Sequence, residues 1–204
     1  MPFGVACGNY KIVRHYSCVA MRLPQTATGD SLAKRAGIML LSLSVRIAEE
    51  FHSKEEASMP LGDLARLAKR CGYGALCMRA SQVGVQSPPE IVEVATDCLA
   101  ESGLAVSMVT GDFDTVYNND NGPGALTNIT PYLDLAKRLG APRIRVALKQ
   151  ESDIANAQRA ADEAVERGIQ LVHQCHTLSL FETVESIERT LSAIDRPNFG
   201  LVYE

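Results

Sequence analysis

The nine residues from Gly168 to His176 bring two histidines and two glutamines to one short apolar segment. Gly168 stands where a left-handed stop is expected after the helical run Ala155 to Arg167, and Ile169 to Val172 read as a buried strand. That strand delivers His173, Gln174 and His176 to its C-terminal end, where parallel α/β folds keep their chemistry. His173 and Gln174 alternate across the strand and face opposite ways, so His173 reads as a core or helix-facing histidine rather than a ligand. His176 lies past the strand, where an imidazole can move protons; the bland alternative is a satisfied loop histidine.

Three cations end other expected strands: Arg46 the first, Arg79 the second and Lys149 the fourth. They suit the oxygens of a sugar hydroxyl, a carboxylate or a phosphate, and equally suit solvated strand ends. Asp112 and Asp114 follow the third strand in a polar loop that either covers the site or simply turns the chain. Residues 118 to 124, rich in Asn and Gly, read as a long loop on the same side and as a candidate lid.

The elements that must position these groups recur with an even cadence from Met39 onward. Strands are expected over Leu40 to Arg46, Ala75 to Met78, Leu104 to Val109, Arg143 to Leu148, Ile169 to Val172 and Phe199 to Tyr203. Between them lie helices with apolar stripes at Leu61, Leu64, Leu67 and Ala68, at Ile91, Val94, Ala95 and Leu99, and at Leu133, Leu135, Ala136 and Leu139. Pro60, Ser87-Pro88-Pro89, Thr130-Pro131, Ser152-Asp153 and Thr183 mark helix starts, and Gly72, Gly103, Gly140 and Gly168 mark stops. Units of about thirty residues alternating strand and helix are βαβ units and give a parallel sheet. Ser44 to Glu49 contain no glycine, which argues against a dinucleotide-type phosphate loop and for a barrel-type sheet. Residues 1–38 differ: glycine and proline break them up, and only 10–21 suggests an extra strand. The expected organisation is an irregular N-terminal segment over 1–38 and one α/β domain over 39–204.

A net charge of −4 supplies no general attraction for nucleic acid or anionic membranes. No segment reaches the roughly 18 apolar residues that span a bilayer, and the N-terminus lacks a signal-peptide pattern. Six cysteines without CxxC spacing are expected to be reduced thiols in a cytoplasm.

With that cadence in view, four pieces resemble the xylose isomerase-like barrel family of sugar isomerases, epimerases and abasic-site endonucleases. Leu64 to Tyr73 resembles the family's first helix and turn, and Leu133 to Gly140 its third. Gly168 to His176 resembles its fifth strand, and Pro197 to Glu204 its sixth. The resemblance implies a partial TIM (β/α) barrel of about six parallel strands with outer helices. It also implies a manganese or magnesium ion held by a fifth-strand glutamate, a sixth-strand aspartate, a seventh-strand histidine and an eighth-strand glutamate. Gln174 stands at the first of these positions and Glu204 at the second, His176 matches a substrate-side histidine, and Cys77 stands where many members have glutamate. With nothing after Glu204 to match the seventh and eighth strands, metal is expected to bind weakly or not at all.

Gln174 and Glu204 are thus the implied metal ligands, His176 and Glu204 the implied catalytic pair, and Arg46, Arg79, Lys149 and Asp112 the expected substrate contacts. Gln174, His176 and Glu204 are expected to face one concave mouth. The expected function is metal-assisted proton transfer on a hydroxy-carbonyl sugar or polyol derivative, impaired in this chain. The alternatives are a catalytically silent domain that binds a partner or self-associates, and an endonuclease relative. A small sugar-like molecule is the expected partner, with no nucleic acid or membrane, and a homo-oligomer is expected to cover open sheet edges.

Overall fold

The computed structural model of the chain describes residues 40–110 and 122–203. The irregular segment 1–38 with its suggested strand over 10–21, the Asp112 and Asp114 loop, residues 118–121 and Glu204 lie outside the described residues.

Six parallel strands form one sheet in sequential order: β1 (Ser42–Ser44), β2 (Ala75–Met78), β3 (Ala105–Thr110), β4 (Arg143–Val146), β5 (Gln170–Gln174) and β6 (Phe199–Val202). The helices are α1 (Leu61–Arg70), α2 (Pro89–Ser102), α3 (Gly124–Thr127), α4 (Thr130–Arg138), α5 (Asp153–Glu166) and α6 (Val184–Ile194). The expected partial barrel of six parallel strands is therefore observed. No described helix is long and apolar enough to cross a membrane.

The strands need helices because the face each turns toward them is mostly apolar. Leu76, Met78, Ile144 and Leu171 are fully covered and share one core cluster with Leu64, Leu133, Ala157 and Ile194 of the helices. Each such side chain contributes about 1.5–3 kcal/mol on leaving water. Helix ends follow the expected punctuation. Gly168 has φ +68°, and a Cβ built there would meet nothing within 4 Å, so backbone conformation alone selects glycine.

Several boundaries move. The first strand stops at Ser44 and the chain enters a 3-10 turn over Val45–Ala48, so Arg46 sits on that turn, exposed, and not at a strand end. The fourth strand stops at Val146, which leaves Lys149 on the following loop. Two helices also use a different stripe from the expected one. In α2, Ile91 and Val94 are 45% and 65% exposed, while Val92, Ala95 and Leu99 are buried. The run Ile91-Val92 and Val94-Ala95 carries two adjacent apolar stripes, and the sheet takes the one spaced i, i+3, i+7. In α1, Ala65 replaces Leu67 in the buried set.

The helix starts are less regular than the cap residues imply. Ser87 accepts from the Gly84 N–H and caps no helix, and Ser152 makes no cap bond. Thr183 does form a reciprocal capping box with Ser186. Gly124, expected in a lid loop, opens α3, whose Ala125 and Leu126 are buried.

Candidate functional site

The face of the sheet turned away from the helices is set by register. Ser44, Cys77 and Met108 are lateral partners, as are Thr110, Arg145, Val172 and Gly200 in the next row; Gln174 and Val202 pair beyond them. Lateral partners in a parallel sheet point the same way, so these residues share the inner face. A register shift between Leu76 and Cys77 makes Ser107 an extra inner residue. Its hydroxyl lies 2.6 Å from that of Ser42 and donates to the Leu76 carbonyl at 3.2 Å.

Two arginines project into this face from β4. Arg143 Nη1 donates to the Ser107 carbonyl at 3.2 Å, and burial lowers its pKa from the ordinary value. Arg145 Nη1 donates to Gln174 Oε1. Sequence reasoning named neither, yet Arg143-Ile-Arg-Val146 carried a signal. Buried parallel strands normally read as continuous aliphatic runs, and an arginine at every second position marks one face as polar. Cys77 lies on the same face. Burial raises its thiol pKa, with the Arg145 and Arg79 guanidiniums opposing, so it stays a protonated thiol near neutrality.

Arg79 does not stand as a strand-end cation open to ligand. It is 5% exposed and paired through Nε to Glu49 Oε1, which also accepts from Ser81 Oγ at 3.3 Å, while Lys54 Nζ lies 3.7 Å from Oε2. Glu49 is thus a buried counter-ion 30 residues from its partner. Beside it an open cleft of about 420 Å³ is lined by Arg46, Glu49, Glu50, Phe51, His52 and Lys54. This cleft lies along the β1–α1 loop, so of the expected substrate cations it includes only Arg46. Lys149 is half-buried, and its backbone N–H donates to Asp153 Oδ2 at 2.8 Å; Gln150 does the same at 3.0 Å. Asp153 is buried because it satisfies these two loop donors.

The loop after β5 is held from several sides. His176 N–H donates to the Phe181 carbonyl at 3.1 Å, Ser179 Oγ to the His176 carbonyl at 2.7 Å, and Leu178 N–H to Glu182 Oε2 at 2.9 Å. His176 Nδ1 lies 2.9 Å from the Thr177 carbonyl. A carbonyl only accepts, so Nδ1 carries the hydrogen and Nε2 of the neutral ring keeps its lone pair. His173 faces the other way, as expected. It is 2% exposed and stacked on Phe181 at a centroid distance of 4.1 Å, and burial depresses its pKa to about 4. Gln174 and His176 therefore both end β5, the first on the inner face and the second on the loop beyond.

Comparison with known proteins rests on structure. No protein-family model matches the sequence, and no curated protein matches it either. Among solved structures, a xylose isomerase-like TIM barrel protein from Mycobacterium smegmatis in complex with magnesium superposes with a TM-score of 0.63 at 15% identity, over 79% of this chain and 63% of that one. The fold is that of the xylose isomerase-like TIM barrels. The probable 3-DHS dehydratase AsbF from Bacillus anthracis gives 0.62 at 16% identity, over 81% and 62% of the two chains. A D-allulose 3-epimerase from Methylomonas sp., in complex with D-allulose, gives 0.56 at 17%, over 80% and 61%. The chain spans about three fifths of the length of these three proteins.

A divalent ion of the kind the fold implies does not suit the described residues of this chain. Gln174 Oε1, the oxygen at the matched ligand position, is already bonded to a guanidinium. A dication about 4 Å from that charge would be repelled by about 8 kcal/mol at an effective dielectric near 20. Among the described residues no three His, Cys, Asp or Glu side chains gather as a metal would require.

Proposed function

We propose that the chain is a sugar isomerase- or epimerase-like protein that binds a hydroxy-carbonyl sugar or polyol derivative at the C-terminal ends of its strands and moves a proton between carbon and His176. The observation that carries this reading is the contact of His176 Nδ1 with the Thr177 carbonyl at 2.9 Å. With Nδ1 engaged there, Nε2 is the ring nitrogen left to exchange a proton, on a loop fixed by Phe181 and Ser179. The xylose isomerase-like fold supports the substrate class, since one solved structure of that fold is an epimerase holding its sugar.

Arg46 and Lys149 are assigned to substrate oxygens, and Asp112 and Glu204 complete the proposed set. Arg79, bound to Glu49, is assigned to shaping the mouth. Neither nucleic acid nor a membrane enters this reading, and a cytoplasmic location accords with the unpaired thiols of Cys71, Cys77, Cys98 and Cys175.

The test is deuterium incorporation at carbon, followed by NMR in D2O with a panel of ketoses, aldoses and their acid and phosphate derivatives. Slow incorporation with at least one member is expected, falling by about 100-fold or more in His176→Gln, the span a general base supplies. Incorporation that is equal in the variant removes His176 from the role. None with any member favours a catalytically silent binding domain.

A further inference from the structure

We propose that Phe181 is the positioning residue for His176: its ring, seated behind β5, anchors the loop that carries the imidazole and ties it to the loop that carries Lys149. Among the described residues 175–189, Phe181 alone is buried, and it is fully covered. Its ring stacks on that of His173 at a centroid distance of 4.1 Å and lies 6.4 Å from that of Phe199. A buried aromatic ring supplies the contact area and the fixed geometry by which an otherwise exposed segment is fastened to a core.

The same residue meets His176 through its backbone. The His176 N–H donates to the Phe181 carbonyl at 3.1 Å, the Phe181 N–H donates to Ser179 Oγ at 3.0 Å, and Ser179 Oγ donates to the His176 carbonyl at 2.7 Å. These three bonds close a circuit, so a shift of His176 must drag Phe181 out of its seat. Leu180 donates its N–H to the Leu148 carbonyl at 3.1 Å, which joins the circuit to the chain just before Lys149. Leu178, inside the circuit, has φ +56°, a left-handed conformation that a leucine keeps only where its surroundings hold it, and its N–H donates to Glu182 Oε2 at 2.9 Å. Groups on two loops then keep one spacing, which proton transfer at a bound substrate requires.

This inference deepens the proposed function, resting on it only for the use made of His176. The anchor itself is read without turnover.

The experiment is amide hydrogen exchange on the full chain, followed by NMR. In the unaltered chain the His176, Leu180 and Phe181 amides are expected to open as one unit, with a single opening constant and a single urea dependence. Phe181→Leu keeps an apolar side chain in the seat and removes the stacked ring. It is expected to raise the opening of these three amides about tenfold or more, while the strand amides of Gln170 and Leu171, bonded to the Pro142 and Asn198 carbonyls, change by less than about threefold. An equal rise in strand and loop makes Phe181 an ordinary core residue and overturns the proposal, as does no rise in the loop. If Phe181→Leu does not fold, the unaltered chain decides, and separate opening of His176 and Phe181 overturns the proposal. With any sugar that supports exchange at carbon, Phe181→Leu is expected to lower kcat about tenfold or more; an unchanged kcat overturns the positioning role. Absence of exchange at carbon with every sugar removes the proposed reaction, and the amides still decide the anchor.

Discussion

Glu49 accepts from the Arg79 guanidinium and the Ser81 hydroxyl and faces a second cation, Lys54, at the mouth, and its charge makes Arg79 tolerable where both are almost fully covered. Removing one partner of such a pair strands the other in low dielectric. Arg79→Ala is expected to cost about 3–5 kcal/mol in urea unfolding, with Glu49→Gln costing less because the amide still accepts. A loss below about 1 kcal/mol would place the pair among weak surface bridges. His173 supplies a pH-dependent contribution of definite sign. Its folded pKa of about 4 lies below the free value of 6.5, so between these limits the unfolded chain takes up a proton that the native ring, stacked on Phe181, refuses. Stability is complete above pH 6.5 and falls as pH drops toward 4, by about 3 kcal/mol. Urea midpoints measured across that range should flatten in His173→Gln; an unchanged slope would assign the acid sensitivity elsewhere.

The helices and strands were legible because their punctuation is local. Gly168 ends α5 at φ +68° with open space where a Cβ would go, so Gly168→Ala is expected to cost about 1–2 kcal/mol through backbone conformation alone. Thermal or urea unfolding measures it, and a neutral result would mean the turn relaxes. The four helix-stop glycines, the Thr183 cap and the sheet order were all readable at this range, while the Ser186 half of the capping box was not. The site was readable only in part. Gln174 and His176 follow from one strand, but the role of Gln174 depends on Arg145, 29 residues away on the neighbouring strand. Arg79 was visible and its partner was not, because Glu49 is an unremarked residue until the loop folds back. The inner face itself is defined by lateral register, which a single sequence does not print. Only the alternation of Arg143 and Arg145 with Ile144 and Val146 hinted at it.

For the molecule as a whole, β1 and β6 are the ends of the sheet, and among the described residues each pairs on one side only. Unpaired strand edges template further association. We expect light scattering behind size exclusion to give a dimer or larger species, or losses to aggregation; a monodisperse monomer would mean the edges are covered within the chain. The same sequential order has a kinetic meaning. Among the described residues every strand pairs only with the strands before and after it in the chain, so none of these pairings waits on a distant segment, and the loops to be closed are single βα units. A chain emerging from the ribosome can then add strands in the order of their synthesis, each one docking on the edge laid down just before it.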